Sequence, residues 1–291
     1  MKAIAFEYHA PRSRSEALAL LAEQPDAKVL AGGQSLMPMM NFRIAQPSHL
    51  IDINDVADLA AIRADGAEFA IGAMTRQRDL LHSEQLREAV PLMVEALTHV
   101  GHLQTRNRGT IGGSLCHADP AAELPTVCTA LDARLTVESS DGTREIAMAD
   151  WALGYLVTSL EPHEMLTGIR LHTWPRGHGW AFTEFARRHG DFAIVSVAVL
   201  LAPGAGGRIA RASIALGGCG DAPIRLHAAE TLLEGQVGCE DLFHQAARCA
   251  IDLEAGSDAY VSAEYRRHLA QVLVRRGLLT AHARMTHGGS A

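Results

Sequence analysis

The sequence predicts an α+β protein in three parts: a small parallel α/β unit, an antiparallel sheet with helices, and a C-terminal three-stranded antiparallel sheet carrying a three-helix bundle. Three observations lead there. Up to about Asn54, apolar strand-like runs alternate with helical runs, the pattern of parallel strands joined by crossover helices. Further on, Ser140-Asp141-Gly142 separates two short alternating runs, a tight-turn signal for antiparallel strands. Beyond residue 180, three strand-like runs are followed by helical runs. At 291 residues the chain exceeds one small core, so 1–175 is read as one domain with subdomains of about 1–54 and 55–175, and 180–286 as a second.

Taken in order, the first subdomain reads strand, helix, strand, short helix, strand. Ser13-x-x-Glu16 is a capping-box pattern ahead of an apolar stripe of Ala17, Leu18, Leu20 and Leu21. Residues 28–31 and 49–52 are the following strands, with a short helical run at 35–40 between them. In the second subdomain 68–72 is a strand, Thr75 is placed to cap a helix over 76–81, and 91–100 is a helix burying Leu92, Met93, Ala96 and Leu97. A helix is expected over 120–131, because Pro120 presets φ for a first turn and Asp119 is placed as its N-cap. Residues 135–138 and 144–147 form the hairpin, and 165–171 is a strand. Trp174-Pro175-Arg176-Gly177-His178-Gly179 reads as a linker. Strands are expected at 180–186, 193–202 and 209–216, the last two joined through Pro203-Gly204-Ala205-Gly206-Gly207, and helices at 223–234, 240–252 and 260–284. The tail after Met285 is expected to fray.

Composition narrows the function classes. Hydrophobic residues make up 48% and charged residues 20%, an ordinary globular balance, and the net charge of -7 comes without a basic run, which argues against nucleic acid. Five cysteines contain no Cys-x-x-Cys pair, so neither a disulfide framework, an iron–sulfur cluster nor a zinc site is indicated. Reduced thiols in a cytoplasmic protein are expected. The N-terminus lacks the apolar core of a signal peptide, and the longest apolar run, 192–203, is too short for a membrane-spanning helix.

The densest signal lies in 106–125. Gly109, Gly112 and Gly113 admit positive φ and have no Cβ to block close approach. Successive free N–H groups in such a turn form an anion-binding nest, to which Thr110 and Ser114 add hydroxyls and the following helix a positive dipole end. The alternative is a tight glycine turn between packed elements. A second loop, Ala31-Gly32-Gly33-Gln34-Ser35-Leu36, follows a strand in the same way, and the pair together favour a bound dinucleotide. No Gly-x-Gly-x-x-Gly opens a helix and no Gly-x-x-x-x-Gly-Lys-Ser/Thr occurs, so neither the Rossmann nor the P-loop rule applies. Met37 and Cys116 stand where a nucleophile elbow around Ser35 or Ser114 would need glycine, and no catalytic side chain is assigned. Among fifteen histidines the closest pair is His99-x-x-His102, and no acidic-histidine set has metal spacing.

The two loops resemble those of the FAD-binding medium subunits of molybdenum hydroxylases, the carbon monoxide dehydrogenase and xanthine dehydrogenase family. The likeness extends to Glu184-Phe185-Ala186-Arg187-Arg188-His189-Gly190-Asp191-Phe192-Ala193-Ile194-Val195 and to Ser262-Ala263-Glu264-Tyr265-Arg266-Arg267-His268-Leu269, and so to nearly the whole chain. The resemblance implies a two-subdomain FAD-binding domain and a flavoprotein C-terminal domain. It implies that Ala31, Gly32, Gly33, Gln34 and Ser35 donate to the diphosphate with Val29, Leu30 and Leu36 packing nearby, and that Thr110, Ile111, Gly112, Gly113 and Ser114 form a second wall. Glu123 would accept from the adenosine ribose, a place where the family often carries Asp. Asp119 would either share that role or cap its helix, and His117 would pack or hydrogen-bond within the loop. Leu166 would pack on the flavin or adenine side, and Phe192 would screen the flavin ring or else pack in a strand. Arg106, Arg108, Arg187 and Arg188 are the cations nearest the loops, to offset the diphosphate, meet a partner or face solvent.

The resemblance further implies that molybdopterin sits on a large partner subunit and two-iron iron–sulfur clusters on a small one, in a dimer of heterotrimers. Electrons would reach FAD here and leave to NAD, oxygen, a quinone or another carrier, while substrate is chosen elsewhere. Two other readings stand beside it: a self-sufficient FAD-dependent oxidoreductase of related fold, and a nucleotide-binding scaffold without redox role. A bulky β-branched residue at Gly33 or Gly112 is expected to abolish FAD binding and spare the fold.

Overall fold

A computed structural model describes residues 1–287. The first subdomain is the expected parallel unit. Strand β1 (Glu7–His9), helix α1 (Arg14–Glu23), strand β2 (Ala27–Leu30), helix α2 (Leu36–Asn41) and strand β3 (His49–Asp52) give a sheet of order β1-β3-β2 with both pairings parallel. Ser13 caps α1, its hydroxyl accepting from the Glu16 N–H at 3.2 Å, while the Glu16 carboxylate takes the Arg12 N–H at 2.9 Å. Ala17, Leu18 and Leu21 then meet Ile51 and Ile53 in a small core of their own.

The second subdomain opens with β4 (Ile62–Asp65) and β5 (Glu68–Gly72), followed by α3 (Gln77–Leu81), α4 (Glu84–Ala89), α5 (Pro91–Leu97), α6 (Leu103–Arg108), α7 (Ile111–His117) and α8 (Glu123–Ala130). Strands β6 (Arg134–Ser139) and β7 (Gly142–Ala147) form the expected hairpin, a short pair β8 (Ala152–Gly154) and β9 (Val157–Thr158) follows, and β10 (Met165–His172) completes an antiparallel sheet of order β4-β5-β10-β6-β7. Three local expectations are corrected. Thr75 does not cap α3: its hydroxyl donates to the Ala61 carbonyl at 3.1 Å, and Arg76 stands at the cap position. The expected 120–131 helix starts at Glu123, because the Asp119 carboxylate takes the Ala121 N–H at 2.9 Å in a local turn, leaving Ala122 as the cap residue. The donor loop expected around Gly109, Gly112 and Gly113 is wound, over Ile111–His117, into helix α7.

The C-terminal domain holds β11 (Gly179–Phe185), β12 (Val195–Pro203), β13 (Ile209–Gly217) and β14 (Ile224–Arg225), then α9 (His227–Leu233), α10 (Glu240–Arg248) and α11 (Ala263–His287). Its sheet has four strands, not the expected three. Residues 224–225 were expected in a helix; the Glu230 carboxylate, reaching back to the Ile214 N–H at 2.7 Å and the Arg225 guanidinium at 2.7 Å, holds them extended against β13. Strand β12 is buried on both faces. Val195, Val197, Val199 and Leu201 face α9–α11, whereas Ala198, Leu200 and Ala202 join the core of the second subdomain around α5 and α8. The main core therefore crosses the domain boundary. No described helix is long and apolar enough to cross a membrane. The tail expected to fray falls, beyond residue 287, outside the described residues.

Candidate functional site

The two glycine segments meet face to face, and the reason is steric. A Cβ on Gly32 would collide with the Arg108 carbonyl and the Gly109 backbone, so the β2–α2 loop rests directly on the end of α6. Gly33 has φ +72°, a conformation that favours glycine. The loop turns so that the N–H groups of Gly32, Gly33, Gln34, Ser35 and Leu36 have no acceptor among the described residues, while Gln34 braces it by donating to the Gly32 carbonyl at 3.1 Å. Such a run of unspent donors is what an anion-binding nest requires.

The second segment works differently, and corrects the expectation. Gly112 and Gly113 are helical, and the amides of this segment are spent inside the protein: Ile111 N–H on the Thr75 carbonyl at 3.1 Å, Gly112 on Ala73 at 2.9 Å, Gly113 on the Thr110 hydroxyl at 3.0 Å and Ser114 on the Thr110 carbonyl at 3.1 Å. Glycine is needed at 112 because a Cβ would lie 2.7 Å from the Ala73 carbonyl oxygen. This wall offers the Ser114 hydroxyl and a side-chain-free surface at Gly113, not a second nest. Substitution of Gly112 is therefore a packing lesion and does not isolate ligand binding; Gly33 does.

Between the two segments runs a crevice of about 1160 Å³. It is lined by Val29, Ala31, Gly32, Gly33, Gln34, Ser35, Leu36, Thr110, Gly112, Gly113, Ser114, His117, Glu123, Leu166 and Phe192. Three expected residues stand apart. Leu30 borders a smaller adjoining cleft of about 480 Å³ that shares the 31–34 loop, Ile111 is fully buried in the main core, and Asp119 is occupied with its turn. Phe192 is 63% exposed on the rim, so the core-packing reading is overturned. It sits on a segment fixed from behind: Arg266 on α11 donates to the carbonyls of Ile194 and Gly218, both at 2.7 Å.

Of the expected cations, Arg106 is spent on the carbonyls of Val100 and Gly101 at 2.7 and 3.2 Å, and Arg187 lies 4.3 Å over the Tyr260 ring. Arg108 borders the smaller cleft beside the first loop. The lysine on the crevice wall is Lys28 on β2, unremarked in the sequence because it sits in a strand of four residues. Residues 156–162 make a further wall that carries no sequence signal; Leu156 there has φ +57°.

One corner of the site is acidic and dry. Glu123 is only 6% exposed, and burial, with the neighbouring charges of Glu184 and Asp119, pushes its carboxyl up to about 7 against the partial relief from its own backbone N–H and from His99. His99 lies 3.2 Å from the Glu184 carboxylate, and that hydrogen bond raises the imidazole above its ordinary value. His117 is shifted the other way by burial. The crevice thus combines unspent amides, a steric floor of glycines and a carboxyl that burial raises to about 7. It exceeds the roughly 300–1000 Å³ of ordinary small-ligand pockets and fits an extended dinucleotide.

Among the described residues, a group of side chains able to hold a metal ion lies away from the crevice. Glu7, His9 and His49, separated by 40 residues in sequence, meet on the first sheet, a grouping that the spacing does not reveal.

Known proteins resemble this chain along both of its domains. Residues 4–174 match the FAD binding domain in molybdopterin dehydrogenase, and residues 180–281 the CO dehydrogenase flavoprotein C-terminal domain. The chain is 42% identical to the caffeine dehydrogenase subunit beta of a Pseudomonas species, covering 99% of this chain and 98% of that one. It is 38% identical to the carbon monoxide dehydrogenase medium chain of Hydrogenophaga pseudoflava, over 96% and 98% of the two chains. The solved carbon monoxide dehydrogenase from Hydrogenophaga pseudoflava superposes with a TM-score of 0.94 at 40% identity, covering 98% of this chain and 99% of that one. Quinoline 2-oxidoreductase from Pseudomonas putida 86 does so with 0.93 at 37%, over 97% and 99%. With both domains matched along their length, this chain belongs to the FAD-binding flavoprotein subunits of the molybdenum hydroxylases, the carbon monoxide dehydrogenase and xanthine dehydrogenase family.

Proposed function

We propose that FAD lies in the crevice with its diphosphate on the free amides of Gly32–Leu36, and that the chain is the electron outlet of a heteromeric complex. The observation that carries this reading is the run of unspent N–H groups facing the Gly113–Ser114 surface across a cavity of dinucleotide size. Ser35, Ser114 and Lys28 add side-chain donors. Glu123, its carboxyl raised to about 7 and so shared between its neutral and ionised forms near neutral pH, meets the ribose hydroxyls as acceptor or donor. Leu166 supplies apolar contact, and Phe192 shields the redox-active ring from solvent. Bound FAD supplies exchange of electrons singly or in pairs, chemistry that belongs to the cofactor and that the protein positions.

In this reading the chain receives electrons from iron–sulfur clusters on a small partner subunit and passes them to an external acceptor. Substrate is oxidised at molybdopterin on a large partner subunit. The assembly is a dimer of heterotrimers in the cytoplasm; five unpaired thiols agree with a reducing compartment. The relatives act on substrates as different as caffeine, carbon monoxide and quinoline at similar identity, which supports a substrate choice made outside this chain.

The test is the visible spectrum of the purified chain, with and without added FAD, beside a Gly33→Val variant. The native chain is expected to hold FAD that heat releases. The variant, forced to adopt positive φ with a β-branched side chain, should bind FAD about tenfold more weakly or worse while its far-UV spectrum is unchanged. A variant that retains FAD normally would end the assignment of the diphosphate to this loop.

A further inference from the structure

We propose that Glu7, His9 and His49 form a divalent transition-metal site, with zinc its natural occupant, that fastens strand β1 to β3. The site lies outside the FAD crevice, none of whose lining residues it shares.

Strand register brings the three residues together. β1 and β3 pair in parallel with Glu7 opposite His49 and His9 opposite Ile51. Side chains alternate along a strand, so Glu7 and His9 share a face, and His49 lies on that same face across the ladder. Tyr8 points to the other face, where its hydroxyl donates to the Asp52 carboxylate at 2.7 Å. Three side chains with metal affinity are therefore gathered by backbone pairing alone.

Their atoms then approach one another closely. His9 Nε2 lies 3.1 Å from His49 Nδ1, and the Glu7 carboxylate lies 3.7 Å from that same Nδ1. Two nitrogens bound to one tetrahedral zinc stand about 3.3 Å apart, so the imidazoles need to separate by only a few tenths of an ångström. The rings are already stacked, with centroids 5.4 Å apart and planes inclined by 27°. His49 is only 19% exposed at its side chain, so its ring is held before any ion arrives, whereas the Glu7 side chain, 75% exposed, is free to swing inward. Two imidazoles and one carboxylate are a common ligand set for zinc, with water completing the tetrahedron.

The placement gives the ion a task. β1 has three residues and lies at the sheet edge, joined to the rest of the sheet through β3. An ion bridging both strands binds the folded state and adds to the stability of that edge by mass action.

The experiment is a calorimetric titration of the full-length, FAD-loaded chain with zinc in metal-free buffer, beside His9→Gln, His49→Gln and, as a control on an exposed helix position, His244→Gln. One equivalent of zinc should bind to the native chain and to the control. Each of the two site variants should weaken it by about tenfold or more. Absence of saturable binding, or binding unaltered in both site variants, overturns the proposal. Should either variant fail to fold, zinc-edge X-ray absorption of the native one-to-one complex decides: two imidazoles in the coordination shell support the site, and fewer than two overturn it.

Discussion

Gly33 and Gly112 look alike in sequence and do different work. At Gly33 the backbone itself needs glycine, with φ +72°; at Gly112 the neighbour needs it, because Ala73 fills the space of a side chain. Gly112→Ala should accordingly destabilise the whole chain by roughly 1–3 kcal/mol of overpacking, read as a lowered Tm of the cofactor-free protein. Glu123 ties the stability of the fold to pH. Its carboxyl is raised by burial from 4.5 to about 7, so at this site the folded state holds a proton that the unfolded state has released between those values. The contribution of this group to stability is fully present below the ordinary value and is lost as pH rises through the folded one, on the order of 3 kcal/mol in all. Glu123→Gln should flatten that slope and raise the Tm of the cofactor-free chain at pH 8; an unchanged slope from pH 4.5 to 7 would mean that the carboxyl is not held neutral.

Helix α7 is the element on which the second wall depends. Thr110 caps it, and the Trp151 indole N–H, fully buried, donates to the Leu115 carbonyl at 2.8 Å. Removing the cap with Thr110→Ala should cost about 1 kcal/mol by denaturant unfolding and weaken FAD binding through displacement of Ser114. The 190–194 rim depends in the same way on Arg266. Arg266→Met leaves the Ile194 and Gly218 carbonyls without their donor, and should speed FAD release measured by stopped-flow fluorescence while secondary structure is retained. An unaltered release rate would separate Phe192 and its segment from cofactor retention.

At the scale of the molecule, the two sequence domains behave as one body because they share a core. Phe182, Ala198, Leu200 and Ala215 of the C-terminal sheet pack with Leu92, Met93, Leu124 and Val127 of the first domain. Glu95 on α5 adds a bidentate pair with Arg284 on α11, at 2.7 and 3.0 Å, and accepts the Phe182 N–H at 3.2 Å. Calorimetry of the cofactor-free chain should therefore give a single transition, and a fragment ending at residue 178 should aggregate, since it bares the α5 and α8 faces. Two resolved transitions, or a monomeric fragment on gel filtration, would show that the domains fold independently.

Much of this was legible in the sequence, for a physical reason. The Ser13 cap, the Ser140-Asp141-Gly142 turn, the parallel unit and the Gly33 loop all depend on backbone preference and on burial period, which neighbouring residues record. The same is true of the crevice residues gathered around the two loops. What only the tertiary structure decided depends on segments far apart. Gly112 reads as a free turn until Ala73 packs against it, and residues 224–225 read as helical until Glu230 claims the Ile214 N–H. Phe192 reads as a flavin screen or as strand core until the fold leaves it exposed on the rim, on a segment that Arg266 holds, and Glu123 reads as an ordinary carboxylate until the fold desolvates it beside Glu184. His9 and His49 have no spacing to betray them, because the register of a parallel sheet sets their 3.1 Å approach. Local chemistry chose the elements; the pairing of distant surfaces chose which of their groups are spent and which are left to bind.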